Sequence, residues 1–360
     1  MLVLSFFSLN FLTINPVYPM MCIFIFLSFF LFFIRGRISK FSVYSILFIA
    51  FVTFCQVIAI YNPNPNLMTT GTSVNRISFI IFIISILYAI SFFESFKWLS
   101  KDDRVRVYFY CGIIFFIYLL CEFFLRVFYG DLNRGILYGF KGSLMYFDSN
   151  FTGLVIMSFY MLFLFLKKYV SVKFKYFSLM CFLFLLLTVS RAAIISVIFS
   201  FFIFSSTSSF RKRSYFILTM YLLVFFMMSY AYFWDWISYS NIDGSFNSKF
   251  YIVDQAIKLY KNMSFESIIF GIGFGNFYNY MGIFAHNIFV TMFIEMGVLG
   301  SLAFIVFIFY SIRISDSYSL YIWVPTLIAG LSLFSVYTPF LFVINAILIL
   351  EAKLMVECSH

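Results

Sequence analysis

The chain has 360 residues, of which 64% are hydrophobic and 11% are charged, and its mean hydropathy is +1.02. Soluble domains are about half apolar and about a quarter charged, so this composition excludes an ordinary soluble protein and predicts an integral membrane protein. The net charge of +10 does not require a nucleic-acid partner, because cytoplasmic loops of membrane proteins collect Lys and Arg.

Apolar runs of about 20 residues follow one another along the chain, which is typical of membrane-spanning helices rather than barrel strands. They predict an all-α integral membrane protein with about 12 transmembrane helices in a single polytopic domain, 1–360. We place the helices near 1–15, 19–34, 41–60, 77–96, 106–128, 144–166, 174–189, 191–206, 214–233, 286–310, 318–336 and 338–356. A long outer loop, 234–285, is expected between helices 9 and 10, with short amphipathic helices in it.

The distribution of basic residues predicts the orientation. Most of the 24 Lys and Arg residues fall in one set of loops and the C-terminal tail, and the positive-inside rule makes this side cytoplasmic, with both termini there. Topology gives no reason for the basic residues on the other side, so we look for chemistry on that outer face. They are Arg76, Arg126, Arg134, Lys141, Arg191, Lys249, Lys258 and Lys261.

The stretch "LMYFDSNFTGLVIM" opens the sixth predicted helix with three polar residues, Asp148, Ser149 and Asn150. Helix capping is the simplest explanation, since all three types cap well. Capping uses one side chain and leaves Asn150 as a candidate substrate-binding residue. The loop before it supplies two cations, Arg134 and Lys141, as further candidates.

In "LLLTVSRAAIIS" no loop separates two apolar runs, so Arg191 is predicted at a tight outer turn. One explanation is that the guanidinium snorkels to the membrane surface. However, an arginine at a helix N-terminus faces an unfavourable dipole. An anionic partner would offset that dipole, and guanidinium groups bind phosphate in a bidentate fork. We therefore favour a functional interpretation for Arg191.

Two features of the long loop precede the tenth helix. "KFYIVDQAIKLYKN" predicts an amphipathic helix lying on the membrane, with Lys249 at its start as a possible ligand for an anion. The glycines of "IIFGIGFGNF" lack the spacing of a dinucleotide fingerprint. They predict either a flexible turn or a tight loop whose backbone approaches a substrate.

"GIFAHNIFVTMFIEMGVLGSL" contains His286 at the mouth of the tenth helix and Glu295 inside it. A lone histidine there is often a cap or an interface residue, but a neutral imidazole also accepts a proton from a sugar hydroxyl. In a regular helix Glu295 lies on the opposite face and about 13 Å deeper. We therefore predict that Glu295 is an interior hydrogen-bonding residue beside Gly297 and Gly300. The sequence contains no metal-binding motif and no P-loop, so no cofactor is predicted.

The order of these motifs resembles the O-antigen polymerase and O-antigen ligase superfamily of bacterial envelopes. The resemblance covers about 145–310, and its strongest part is His-Asn followed by Glu-x-Gly-x-x-Gly. It implies a glycosyltransferase of the bacterial inner membrane that works at the periplasmic face on an undecaprenyl-diphosphate-linked oligosaccharide, without metal. Arg191 matches the family arginine proposed to hold the diphosphate, and His286 matches the histidine near the acceptor. Lys249 departs from the family, which commonly has arginine there.

The expected catalytic residues are thus His286 and Arg191. The expected substrate-binding residues are Arg134, Lys249, Lys141, Asn150 and Asn287, and Arg126 is a further candidate. Expected partners are the lipid-linked oligosaccharide and membrane lipids, with a chain-length regulator protein as a further candidate. Small size and high Phe content favour a polymerase over a ligase that transfers glycan to lipid A–core. A lipid-linked oligosaccharide flippase ranks lower, since the unexplained cations cluster at one face.

Overall fold

The computed structural model describes residues 2–8, 12, 15–35, 38–63, 68, 74–129, 142–143, 146–206, 244–285, 287–333 and 337–357. Within these ranges, five helices are long and apolar enough to cross a membrane: Lys40–Tyr61, Ile77–Phe96, Lys101–Phe128, Ser149–Tyr169 and Gly297–Ile314. The predicted helical character is confirmed, and these helices indicate a membrane-embedded chain.

The elements in chain order are α1 (Leu2–Phe6), α2 (Val17–Arg35), α3 (Lys40–Tyr61), α4 (Ile77–Phe96), α5 (Lys101–Phe128), β1 (Gly142–Ser143), β2 (Phe147–Asp148), α6 (Ser149–Tyr169), α7 (Lys175–Leu187), α8 (Arg191–Ser206), α9 (Gly244–Asn262), α10 (Phe265–Phe270), α11 (Phe277–Met281), α12 (Ile288–Val290), α13 (Gly297–Ile314), α14 (Leu320–Ala329) and α15 (Pro339–Glu357). The two strands form a short antiparallel ribbon in which Ser143 pairs with Phe147.

Several predicted helices have different limits in the structure. The described part of 1–15 contains only α1, because the backbone of Ser8 leaves the helix to bond with the Tyr118 hydroxyl in both directions, at 3.1 and 2.7 Å. The helix predicted at 144–166 begins later, at Ser149, since Asp148 caps it after the ribbon. The helix predicted at 318–336 is limited to α14. The helix predicted at 214–233 and the first part of the 234–285 loop lie outside the described residues, and the rest of that loop carries α9, α10 and α11.

Buried polar pairs join the helix ends at one end of the bundle. The Glu94 carboxylate, at the end of α4, accepts a hydrogen bond from the backbone N–H of Ser39 (3.0 Å), just before α3, and pairs with Lys97. Arg104, on the first turn of α5, donates to Glu351 of α15 at 2.7 Å. We call this the basic end. The opposite end, where α3 and α5 end and α4, α6, α8 and α15 begin, is called the far end.

Helix α6 is the centre of the bundle. In the most apolar 18-residue stretch of this helix, 83% of the residues are buried. The helix packs against α7, α8, α14 and α15. Because a helix enclosed by others cannot shift freely, its first turns form a fixed reference for the residues gathered at the far end.

Candidate functional site

The first turn of α6 is held by its predicted cap. The Asp148 carboxylate accepts hydrogen bonds from the backbone N–H groups of Asn150 and Phe151, at 2.8 and 3.0 Å. Asp148 is thus the residue that capping accounts for. Asn150 lies half-buried beside it, and its predicted contact with substrate stays a prediction.

Thr152, on the same turn, connects α6 to a buried carboxylate on α5. The Thr152 hydroxyl donates to Glu122 at 3.3 Å, and the Ser143 hydroxyl of the ribbon donates to the same oxygen at 2.8 Å. The other Glu122 oxygen accepts from Arg126, one turn later on α5, at 2.9 Å. A strand, two helices and an ion pair therefore meet in one polar network at the far end.

Arg126 is the unusual member of this network. Its side chain is only 1% exposed, yet within the described part of the chain its Nε and Nη1 atoms have no hydrogen-bond partner. Leaving buried donors of a charged group unpaired is costly. A guanidinium that keeps open N–H donors can form charge-assisted hydrogen bonds with phosphate oxygens. In the sequence, Glu122 and Arg126 lie four residues apart within an apolar run. Two charges at this spacing inside a predicted membrane helix were a signal that the sequence interpretation did not use.

The turn before α8 has the tight form that the sequence predicts. Helix α7 ends at Leu187 and α8 begins at Arg191, which is exposed at the far end. Between them Val189 has φ of +54°, an outlier conformation for a β-branched residue. Such strain persists only where the surroundings fix it, and it is frequent at functional sites. Here the Thr188 hydroxyl helps to fix the turn by accepting from the Ser190 N–H at 3.2 Å.

Gly153 brings this turn onto α6. A Cβ atom added at Gly153 would lie 2.6 Å from the Ser190 Cβ and 3.2 Å from the Thr188 hydroxyl, so only glycine allows the approach. Consecutive residues of α6 thus contact the surroundings of two arginines. Thr152 donates to Glu122, the partner of Arg126, and Gly153 packs against the turn that precedes Arg191. We call Arg126 and Arg191 the arginine pair.

A second far-end cluster surrounds Glu295. The Glu295 carboxylate accepts from the backbone N–H groups of Gly275 (2.9 Å) and Phe277 (3.1 Å) and from the Tyr337 hydroxyl. Its backbone carbonyl accepts from Gln56 of α3 at 3.0 Å. The prediction of an interior hydrogen-bonding role for Glu295 is confirmed. Its main partner, however, is the loop that contains Gly271, Gly273 and Gly275, which we call the glycine-rich loop. Tyr337 and Gln56 are residues that the sequence interpretation missed, and nothing in the local pattern around Tyr337 indicates its role.

The glycine-rich loop is a tight, fixed turn. Gly271, Gly273 and Gly275 have φ of +86°, +88° and +73°, which glycine adopts without steric cost. A Cβ at Gly271 would lie 2.3 Å from the Glu295 carbonyl oxygen. Of the two alternatives left open by the sequence, the structure therefore favours the tight loop, although its close neighbour here is the protein itself.

The prediction of one regular helix over 286–310 is wrong. Residues Thr291–Glu295 form a π-turn, in which the Met296 N–H bonds to the Thr291 carbonyl at 3.3 Å, and α13 starts only at Gly297, whose φ is +68°. The physical reason is that this segment bonds to the glycine-rich loop, and the extra residue of the π-turn accommodates that contact.

The remaining predicted site residues fall into two groups. The Asn287 side chain caps α12 by accepting from Phe289 N–H at 2.9 Å and donates to the Leu331 carbonyl at 2.8 Å, so its predicted substrate contact stays a prediction. Lys249 lies in α9, with its side chain outside the described part of the structure. Three further predicted residues lie outside the described residues altogether: His286, Arg134 and Lys141.

No three His, Cys, Asp or Glu side chains in the described ranges are placed to hold a metal ion. The chain matches no protein-family model, no curated protein and no solved structure.

Proposed function

We propose that this chain is a polysaccharide polymerase of the O-antigen type, a membrane glycosyltransferase that joins undecaprenyl-diphosphate-linked glycans at the periplasmic face of the bacterial inner membrane. The proposal includes the topology of about 12 helices with both termini in the cytoplasm, so that the far end is the periplasmic end. The observation that carries it is the arginine pair, in which two buried nitrogen atoms of Arg126 have no hydrogen-bond partner among the described residues.

The reaction forms one glycosidic bond and breaks one glycosyl–phosphate bond. A hydroxyl oxygen of the acceptor sugar attacks the anomeric carbon of the donor glycan, and undecaprenyl diphosphate leaves with the bonding electron pair. The transition state has oxocarbenium character, while negative charge grows on the leaving phosphate. Fixed cations aimed at the place where charge develops lower the barrier to such a step.

The arginine pair supplies these cations in the proposal. Arg126 is already desolvated, so its interaction with a phosphate oxygen is stronger than the same contact in water. The α6 N-terminus, at the same end of the bundle, adds a positive helix dipole. Arg191 is exposed and follows a strained turn, and in the proposal it meets the diphosphate from the membrane surface.

His286 takes the acceptor proton or orients the acceptor hydroxyl in this mechanism. Its neighbours are held firmly, because Asn287 caps α12 and the Ile288 N–H donates to the Gly330 carbonyl at 2.8 Å. Glu295, eight residues beyond Asn287, fastens the same segment to the glycine-rich loop. The role proposed for Glu295 is therefore to hold the segment that presents the histidine.

The genetic test is to delete the gene in its host and separate the surface polysaccharide on a gel, with complementation by wild type and by His286→Ala. The proposal predicts lipopolysaccharide capped with a single repeat and no ladder, restored by wild type only. Loss of the single repeat as well, with polymer on the carrier lipid, would identify a ligase. Unpolymerised repeats retained on the inner leaflet would identify a flippase.

A further inference from the structure

Helix α7 is too short to cross a bilayer, whereas its neighbour α6 has the right length. The 21 residues of α6 extend about 31 Å, close to the hydrocarbon thickness of about 30 Å. The 13 residues of α7 extend only about 20 Å, and the 3₁₀ turn Val172–Phe174 before it adds about 6 Å. Helix α7 therefore cannot match α6 along its whole length.

Contacts between the two helices show that α7 stops short at the far end. The Phe163 ring of α6 packs against Phe177, near the start of α7, with ring centroids 5.4 Å apart, so the helices run antiparallel. At the other end of α7, the turn that follows it meets α6 at the contact between Gly153 and Ser190. Gly153 is the fifth residue of α6. The turn therefore lies about 6 Å inside the start of that helix.

Both members of the arginine pair are attached at this depth. Arg191 follows the turn directly. Arg126 is bonded to Glu122 at 2.9 Å, and Glu122 accepts from Thr152, which precedes Gly153 on α6. Snorkelling can carry a long exposed side chain toward the surface, but the Arg126 guanidinium is buried in its ion pair. An anion that reaches Arg126 therefore has to descend about one helical turn.

This level is open on the side of Arg191 and closed at Arg126. Arg191 is exposed, and Val189 in the turn is 47% exposed, whereas the Arg126 side chain is 1% exposed. Asn150 lies one turn above Gly153 on the same side of α6 and is half-buried. We call the region bordered by Asn150, Val189 and Arg191 the recess.

An arginine attached inside the edge of the hydrocarbon region draws water and head groups toward itself, and the bilayer becomes thinner there. A short helix has the same effect, because its end leaves no apolar surface for the outermost part of the bilayer to cover. Phosphate is the anion of the head-group layer, and guanidinium pairs with it strongly. The recess is thus suited to a phosphate that arrives from the bilayer on a lipid.

Resting on the proposed function, we infer that the recess is the lateral entry site of the lipid-linked donor. The donor phosphates leave the plane of the surrounding head groups, sink by about one helical turn at Arg191 and pass from there to Arg126. The polyprenyl chain stays in the hydrocarbon region outside α7. Substrate then enters from the bilayer beside the end of α7, and the phosphate meets the exposed arginine before the buried one.

The test measures how fast a charged, water-borne thiol reagent labels single introduced cysteines in the full chain, held in phosphatidylcholine nanodiscs. Val189→Cys reports on the recess. Leu183→Cys is the matched control, because Leu183 is similarly exposed, at 52%, but lies on α7 deeper in the bilayer. Labelling of the parent chain, which has its own cysteines, is subtracted. We expect Val189→Cys to react at least about tenfold faster, since a thiolate forms only where water reaches it.

Two further arms identify the cause of this access and the ligand. Adding Arg191→Leu to Val189→Cys removes the charge that keeps the recess hydrated, and labelling should fall to the rate of the control. Undecaprenyl phosphate, the probe, should protect Val189→Cys from the reagent. Phosphatidylglycerol at the same mole fraction should not, because its phosphodiester carries one charge and a phosphomonoester carries nearly two.

Three results would overturn the inference. They are equal labelling of Val189→Cys and Leu183→Cys, labelling of Val189→Cys that persists when Arg191→Leu is added, and equal protection by the two lipids. The first two would show that Arg191 maintains no hydrated recess, and the third would make the recess an ordinary head-group contact.

The outcomes also separate this inference from the proposed function. Polymer formation by wild type, together with equal labelling of the two cysteine variants, contradicts only the recess. Labelling and protection as expected, in a protein whose wild type leaves a lipid-linked repeat unit unchanged, support the recess and contradict the proposed function.

Discussion

Gly153 of α6 and Ser190 of the α7–α8 turn are in such close contact that a Cβ on the glycine would lie 2.6 Å from the serine Cβ. Neither atom is a flexible chain end, so a larger residue must push the turn away. The first prediction is that Gly153→Ala displaces Arg191, shortens the polymer and destabilises the protein by about 1–3 kcal/mol. Thermal unfolding in detergent and a gel of the polymer check it.

Gly142→Ala is the control for that variant, because a Cβ there meets no atom of the described residues within 4 Å. It should leave both stability and polymer length unchanged. Polymer of normal length from a correctly inserted Gly153→Ala protein would contradict the idea that the position of the turn matters.

The ion pair of Glu122 and Arg126 allows structure and function to be separated. Arg126→Gln leaves a carboxylate buried without its cation, which is expected to cost about 3–5 kcal/mol. Changing both residues to Gln removes the charges together and should restore stability to within about 1 kcal/mol of wild type. Polymerisation should stay about 100-fold or more below wild type in the double variant, since a preorganised donor to the leaving phosphate is lost.

A folded double variant distinguishes a structural role of Arg126 from a role at the leaving phosphate. Chemical denaturation gives its stability, and turnover is measured per folded molecule. Recovery of both stability and turnover would show that Arg126 is only a structural ion-pair partner.

Arg191→Ala is expected to abolish chain extension while leaving membrane insertion and yield intact, because the side chain is exposed and forms no part of the core. The readout is the ladder of chain lengths in cells that produce the variant at the wild-type level. Arg106→Ala is the matched control, since that arginine is 73% exposed at the basic end. Wild-type chain lengths in Arg191→Ala would refute its role at the diphosphate.

Glu295→Gln tests the structural role of the buried carboxylate. An amide group cannot accept at both ends from Gly275, Phe277 and Tyr337, so one of these donors loses its partner, at a cost of about 1–3 kcal/mol. We expect a lower yield and a lower unfolding temperature, with turnover per folded molecule retained. A normal yield with lost turnover would instead place Glu295 in the chemistry.

The sequence predicted the helices best where charge and apolarity change abruptly. The helices predicted at 41–60 and 77–96 match α3 and α4 within a residue at each end, because polar residues flank both runs. It also predicted the turn at Arg191, since two apolar runs without a loop leave no other geometry. These features depend on local composition alone.

The features that it did not predict depend on contacts between distant residues. The π-turn at Thr291–Glu295 exists because the segment bonds to the glycine-rich loop. Tyr337 reaches Glu295 across 42 positions of sequence, and Gln56 reaches the same segment from α3. No periodicity marks such partners, whereas the pair Glu122 and Arg126 carried a readable signal in its four-residue spacing within an apolar helix.

The most direct measurement is the reaction of the purified protein, in lipid nanodiscs, with an undecaprenyl-diphosphate-linked repeat unit as the only substrate. Products are separated by gel and released undecaprenyl diphosphate is quantified by mass spectrometry. The account predicts a ladder of glycan lengths and one undecaprenyl diphosphate released for each bond formed, both absent in the folded double variant of Glu122 and Arg126. A folded wild-type protein that leaves the repeat unit unchanged would contradict it.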